Sequence, residues 1–219
     1  MKTGVERLPL VVTIAITAAC ASGAATTSAQ QSGVAPIADD TVGRANIPVG
    51  YGTLRQDDIA IRLELPGLIV RAIPLSENLI RLLTPDSYRA LRDLQESNKQ
   101  AIAAVSRRTG GRAPSLWYVS FFGVQPDVHF SPMELAITSS GRDFRALEVL
   151  PLSSGFGEQQ LKQRETQSAI YLFEDAIGLD QPLTVTFQNV RNDDWEQILT
   201  RVERERALVR ARASRPADH

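Results

Sequence analysis

One cysteine, Cys20, is present in the 219 residues, so no disulfide can form within the chain. Any fold here must be held by an apolar core, which calls for a domain of ordinary size. The position of that cysteine narrows the choice further. It closes an apolar run, Leu8 to Ala19, which follows Lys2 and Arg7. The run has the length and the basic flank of an export signal. It is shorter than the ~20 apolar residues that a membrane-spanning helix needs. From Ala21 to Gly33 there is no large apolar side chain. Such a segment cannot offset its ordering entropy by burial, and it reads as a spacer. The expected organisation is a signal peptide at 1–19, a lipidated flexible tether at 20–46, one globular domain at 47–213 and a frayed tail at 214–219.

The residues Thr17-Ala18-Ala19-Cys20 resemble the processing signal of bacterial lipoproteins, usually Leu-Ala/Ser-Gly/Ala-Cys. Thr17 stands where leucine is usual, and the resemblance covers the amino terminus alone. It implies a thioether-linked diacylglycerol on Cys20, cleavage just before it, and acylation of the new amino group. Several acyl chains hold a protein durably where one holds it weakly. Ala21, in place of Asp, implies sorting to the outer membrane, with the domain facing the periplasm. Cleavage after Ala29 in Thr27-Ser28-Ala29 is the competing outcome and gives a soluble periplasmic or secreted protein.

The rest of the chain alternates between two periods. Ile59, Ile61, Leu63 and Leu65 alternate with Ala60, Arg62 and Glu64, the pattern of a half-buried strand. Pro66-Gly67 then turns the chain into a second strand at 68–73. A helix is expected over 85–108, starting at Thr84-Pro85 and stopping at Gly110-Gly111, with a short helical element at 77–83 before it. Further strands are expected at 116–122, 133–138, 144–150, 168–173 and 183–187, with a hairpin turn at Ser139-Ser140-Gly141-Arg142. Trp195, Ile198, Leu199, Val202, Leu208 and Val209 suit a last helix, capped by Asp193 or Asp194. Seven strands with turn signals predict a mostly β domain: an immunoglobulin-like β-sandwich with an inserted helix and a C-terminal helix. The alternative is an α+β single sheet covered by helices.

The chemistry is sparse. A formal net charge of -1 and 6% aromatics give no field or stacking platform for nucleic acid. Of two histidines, His219 ends the chain and His129 lies in Asp127-Val128-His129-Phe130-Ser131. Those neighbours suggest a hydrolase only if the fold orients a nucleophile and a base, and a rim histidine is the expected outcome. No Gly-x-Ser-x-Gly or phosphate-cradling loop is present. Glu148, Glu158, Glu165, Glu174 and Asp175 offer carboxylates that a fold could pair. No metal site, cofactor or catalytic residue is assigned: calcium wants six to eight oxygens and no such order appears, and imidazole and thiol ligands are scarce.

The candidate interaction surface is basic: Lys162 and Arg164 beside a glycine-rich loop, and Arg201, Arg204, Arg206, Arg210 and Arg212 on the last helix. The expected function is a lipid-anchored adaptor or structural protein of the envelope, more binding than catalysis, bound to the membrane through Cys20 and to an envelope protein partner. The alternatives are a hydrolase with a noncanonical carboxylate or serine site, and a small-ligand binding module.

Overall fold

The alternation read at Ile59–Leu65 is real, and it sets one face of the largest sheet. The computed structural model describes residues 47–214, all within the unit Ala35–His219. The signal, Cys20, the whole of the spacer and residues 215–219 lie outside the described residues. Strands β1 (Ile61–Leu65) and β2 (Leu68–Pro74) form a hairpin about Pro66-Gly67, with Gly67 at φ 80°. Strand β3 (Ser115–Gly123) pairs with β2 and with β9 (Thr166–Phe173), and β7 (Glu148–Pro151) closes the far side. The order β1-β2-β3-β9-β7 is antiparallel throughout. Register places Leu63, Val70, Phe121 and Gln167 in one row and Ile61, Ala72, Val119 and Ala169 in the next. All eight side chains are buried, because a period of two keeps them on the same face.

A second sheet has the order β11-β10-β5-β6, from β5 (Ala136–Ser139), β6 (Arg142–Arg145), β10 (Leu183–Phe187) and β11 (Val190–Asn192). The expected turn at Ser140-Gly141 joins β5 to β6, both residues having positive φ. A third, two-stranded ribbon pairs β4 (Val128–His129) with β8 (Gln160–Leu161). Helices α1 (Glu77–Ile80), α2 (Pro85–Ser97) and α3 (Lys99–Arg108) lie between β2 and β3 in the chain, and α4 (Trp195–Ala213) ends the domain. Among the described residues, no helix is long and apolar enough to cross a membrane.

This arrangement overturns the immunoglobulin-like sandwich. The strands fall into three separate sheets, with dispersed helices and no closed sheet-on-sheet packing, so the domain is mixed α/β. The expectation failed mainly at 144–150. The chain breaks at Ala146-Leu147, so that β6 belongs to the four-stranded sheet and β7 to the five-stranded one. The helix expected over 85–108 is likewise two. Asn98 leaves helical geometry at φ -105° and ψ 8°, and its side-chain amide donates to Leu94 O at 2.8 Å. A short polar side chain that bonds nearby backbone competes with the helix in this way. The strand expected from Met133 starts only at Ala136, after a 3-10 turn over Pro132–Glu134.

The three sheets meet at Phe121. Its ring stacks on Phe130 (centroids 4.4 Å apart), which follows the ribbon, and lies 5.5 Å from Phe187 of β10 and 6.0 Å from Phe156. Aromatic contacts of this kind add about 0.5–1.5 kcal/mol each beyond the area they bury. On another side, Gln95 Nε2 of α2 donates to Leu75 O at 2.7 Å, and Arg108 of α3 pairs with Glu148 of β7. These bonds tie the helix pair to the ends of the five-stranded sheet.

Helix α4 is fixed by a buried carboxylate. Glu205 Oε1 accepts from Thr53 N at 2.9 Å, Thr53 Oγ1 at 3.0 Å and Arg212 Nη1 at 2.7 Å. Burial by itself would raise this carboxyl, but the bonds from Arg212 and Thr53 outweigh it and hold the group below the usual carboxylate range. Glu205→Gln should therefore cost about 1–3 kcal/mol at neutral pH. A lowered folded value gives stability that is complete above the unfolded value of about 4.3 and is lost as pH falls through the folded one. Urea denaturation of the two proteins should show a gap at pH 7 that closes in acid. A gap of constant size down to pH 2 would contradict this origin.

Candidate functional site

The ribbon β4–β8 is short, but it aims chemistry-bearing residues at one place. Pairing sets His129 opposite Gln160, and Phe130 N donates to Gln159 O at 3.0 Å. His129, Phe130 and Ser131 thus run beside Glu158 and Gln159. Together with Gln188, from the turn between β10 and β11, they line an open depression of about 360 Å³. A second depression, of about 440 Å³, is lined by Glu134, Arg145, Gln188 and Asn189. Gln188 borders both, and the two neighbouring depressions together make up the groove described below. Phe130, 3% exposed and stacked on Phe121, forms its base and ties it to the centre of the core.

The groove is rich in groups that both donate and accept. The side chains of Gln159, Gln188 and Asn189 offer amide oxygens and amide NH2 groups. His129 Nδ1 lies 3.2 Å from Asp127 O. A carbonyl oxygen only accepts, so Nδ1 carries the proton, and in the neutral ring Nε2 is left as an acceptor. Charge sits to either side, with Glu158 in one lobe and Glu134 and Arg145 in the other. No hydrogen bond joins His129 to Ser131 among the described residues, so the serine and the base required by a serine hydrolase are not coupled here.

The backbone of the groove is strained where its amides project. Gln159 has φ 54° and Gln188 φ 52°, and Asp127 behind His129 has φ 56°. Phe187 pairs with Val190, so Gln188-Asn189 is a two-residue hairpin loop with positive φ at its first position alone. Glycine is preferred at that position, since it carries no Cβ penalty. Ser140 and Arg164, in turns away from the groove, share this geometry, so it is a feature of this fold's turns as well as of the groove. The wall is braced from beneath. Gln167, buried beside Phe121, donates from Nε2 to Gln160 O at 3.1 Å and to Glu165 Oε1 at 2.9 Å. That bond, with one from the Lys162 amide, holds the Glu165 carboxyl below its usual range.

The residues singled out in the sequence have separate fates. Glu158 reaches the groove, but Glu148 pairs with Arg108, Glu174 with Arg142 at 2.5 Å, and Glu165 with Gln167, so the carboxylates do not converge. Among the described residues, no group of three or more His, Cys, Asp or Glu could hold a metal ion. Lys162 and Arg164 are exposed in the turn between β8 and β9, where Arg164 has φ 64° and its amide donates to Gly123 O at 2.7 Å. Arg206 is buried against Glu203, Arg212 is bonded to Glu205, and Arg201 lies 3.7 Å from Asp58. Arg204 and Arg210 remain exposed. The sequence reading missed Gln159, Gln188 and Asn189. The one signal for the last two was a polar pair between the apolar Phe187 and Val190, a two-residue hairpin spacing.

Relief of the strain at Gln188 gives a direct check. Gln188→Gly should leave the fold intact and raise its stability by up to about 1 kcal/mol in urea denaturation, since a left-handed non-glycine residue costs 1–2 kcal/mol and glycine returns part of that as chain entropy. A clear loss of stability would show that the side chain, and not its backbone, supports the turn. No family model matches the chain, and no similar curated protein or solved structure was found.

Proposed function

We propose that this domain is a binding module of the bacterial envelope whose groove takes an uncharged, amide-bearing ligand, such as an N-acetylated sugar chain or a short neutral peptide. The observation that carries this reading is the convergence of Gln159 and Gln188, both in left-handed backbone, on one groove over the Phe130–Phe121 stack. Side-chain amides satisfy the N–H and C=O of another amide at once. Charges of both signs at the groove suit a ligand without strong net charge. Binding is favoured over hydrolysis because Ser131 and His129 are uncoupled and the carboxylates are dispersed.

Titration of the 15N-labelled protein with tri-N-acetylchitotriose, and separately with trialanine amide, tests the proposal. One of the two should shift the amide signals of 129–131, 158–159 and 188–189, and Gln159→Ala with Gln188→Ala should weaken that response about tenfold. Shifts with neither probe, or shifts elsewhere, would sink the reading.

Envelope placement rests on the lipoprotein-like Thr17-Ala18-Ala19-Cys20. In this proposal the lipid on Cys20 anchors the chain in the outer membrane, and the groove samples the periplasm. Metabolic labelling with an alkyne analogue of palmitate should tag the native chain and not Cys20→Ser. Label retained by the variant, or absent from both, would remove the anchor from the proposal. The adaptor reading keeps one observation in its favour: β7 ends the five-stranded sheet with Val149 and Leu150 only half-buried, and such an edge can accept a strand from another protein.

A further inference from the structure

The larger lobe of the groove carries two charges that the fold leaves unused. Register gathers its residues at one end of the four-stranded sheet. Arg145, the last residue of β6, pairs with Ala136, the first of β5, and Ala136 pairs with Thr186 near the end of β10. Glu134 closes the 3-10 turn that leads into β5, and Gln188-Asn189 is the turn that leaves β10. Glu134, Arg145, Gln188 and Asn189 thus line one depression of about 440 Å³.

Other charges on and around this sheet are matched. Arg142 pairs with Glu174 at 2.5 Å, Arg108 pairs with Glu148, and Asp143 accepts from Thr138 Oγ1 at 2.6 Å. Glu134 and Arg145 differ. Both are exposed, and among the described residues neither has a side-chain hydrogen bond or ion pair, with the other or with a third group. Either alone would be an ordinary solvated side chain. Together they give a single depression one guanidinium and one carboxylate, held apart and both open to a ligand.

We propose that this lobe receives the last residue of a peptide that carries both a free carboxylate and a side-chain ammonium group. The inference rests on the amide-binding reading of the groove and narrows its ligand to a peptide whose charges balance. The planar fork of Arg145 suits the carboxylate, and the Glu134 carboxylate accepts from the ammonium. Gln188, common to both depressions, offers its carboxamide to the peptide unit just before that residue. Because Glu134 and Arg145 do not touch, the two charges of the ligand must stand apart as well. Those of a free α-amino acid share one carbon, whereas a lysine-like side chain sets a long aliphatic stem between them. An N-acetylated sugar would use neither charge. A plain acid end would reach Arg145 only against repulsion from Glu134.

The test titrates the 15N-labelled full chain with N-acetyl-alanyl-lysine, its carboxamide, N-acetyl-alanyl-norleucine and its carboxamide. These carry both charges, the ammonium alone, the carboxylate alone and neither. Exposed ion pairs are worth about threefold each in affinity. The first peptide should therefore bind roughly tenfold tighter than the last, with amide shifts at 134, 145 and 188–189. Arg145→Gln should weaken only the two peptides with a carboxylate, and Glu134→Gln only the two with an ammonium, a selectivity that a folding defect would not produce. Equal binding of all four peptides, or a norleucine acid that binds as tightly as the lysine acid, would overturn the proposal and leave the amide-binding groove in place. No shift with any of the four would overturn it too, and the titration with tri-N-acetylchitotriose then decides the groove by itself.

Discussion

The Phe121 side chain stands at a junction that no backbone hydrogen bond makes. Ladder bonds hold each sheet together internally, but nothing of that kind runs among the five-stranded sheet, the four-stranded sheet and the β4–β8 ribbon. The aromatic cluster spans that junction, with Phe121 from the first, Phe187 from the second and Phe130 beside the third, and side-chain bonds from Asn192 to Arg62 O and from Gln167 to Gln160 O add to it. Dispersion and water exclusion are directionless, yet rings of this size fit one another in few ways. The cluster therefore fixes how the ribbon sits, and through Phe130 it fixes the groove. With no disulfide available among the described residues, the groove side chains are placed by this packing together with the hydrogen bonds of Gln167 and Phe130 to the ribbon backbone.

Much of the local structure could be read from the sequence, and the reasons are specific. Ile59 to Leu65 alternates cleanly, Pro66-Gly67 and Ser140-Gly141 carry the turn chemistry their hairpins need, and Thr84-Pro85 opens a helix where expected. What was not legible depends on distance in the chain. Phe144 to Leu150 has continuous strand character, and nothing within it announces that its halves join different sheets. Asn98 breaks a helical period by a side-chain bond that a pattern of apolar residues does not register. The groove was least visible. Its residues come from 129–131, 158–159 and 188–189, each unremarkable alone, and strain at Gln159 and Gln188 exists only as a backbone angle. His129 was noticed for its chemistry, and the structure places it at the groove's rim with Asp127 O fixing its tautomer.

The arginine-rich end shows how far composition alone can mislead. Five arginines of the last helix read alike as a basic surface. Arg206 is inside, Arg212 completes the bonding of a buried carboxylate and the Tyr51 carbonyl, and Arg201 reaches Asp58 and its carbonyl. Three of the five thus serve to hold α4 in place, as long side chains do when their stems pack and their heads find partners. Only the remainder can face a partner. A charge run is therefore best divided by helical phase before any function is attached to it.

The break at Ala146-Leu147 has a bearing on how the molecule opens. The chain leaves the edge of one sheet at Arg145 and enters the edge of another at Glu148. With so short a bridge, the two edges cannot separate unless one strand is peeled from its ladder. Both sheets should thereby belong to one cooperative unit, with their slowest amides sharing one opening event in hydrogen exchange.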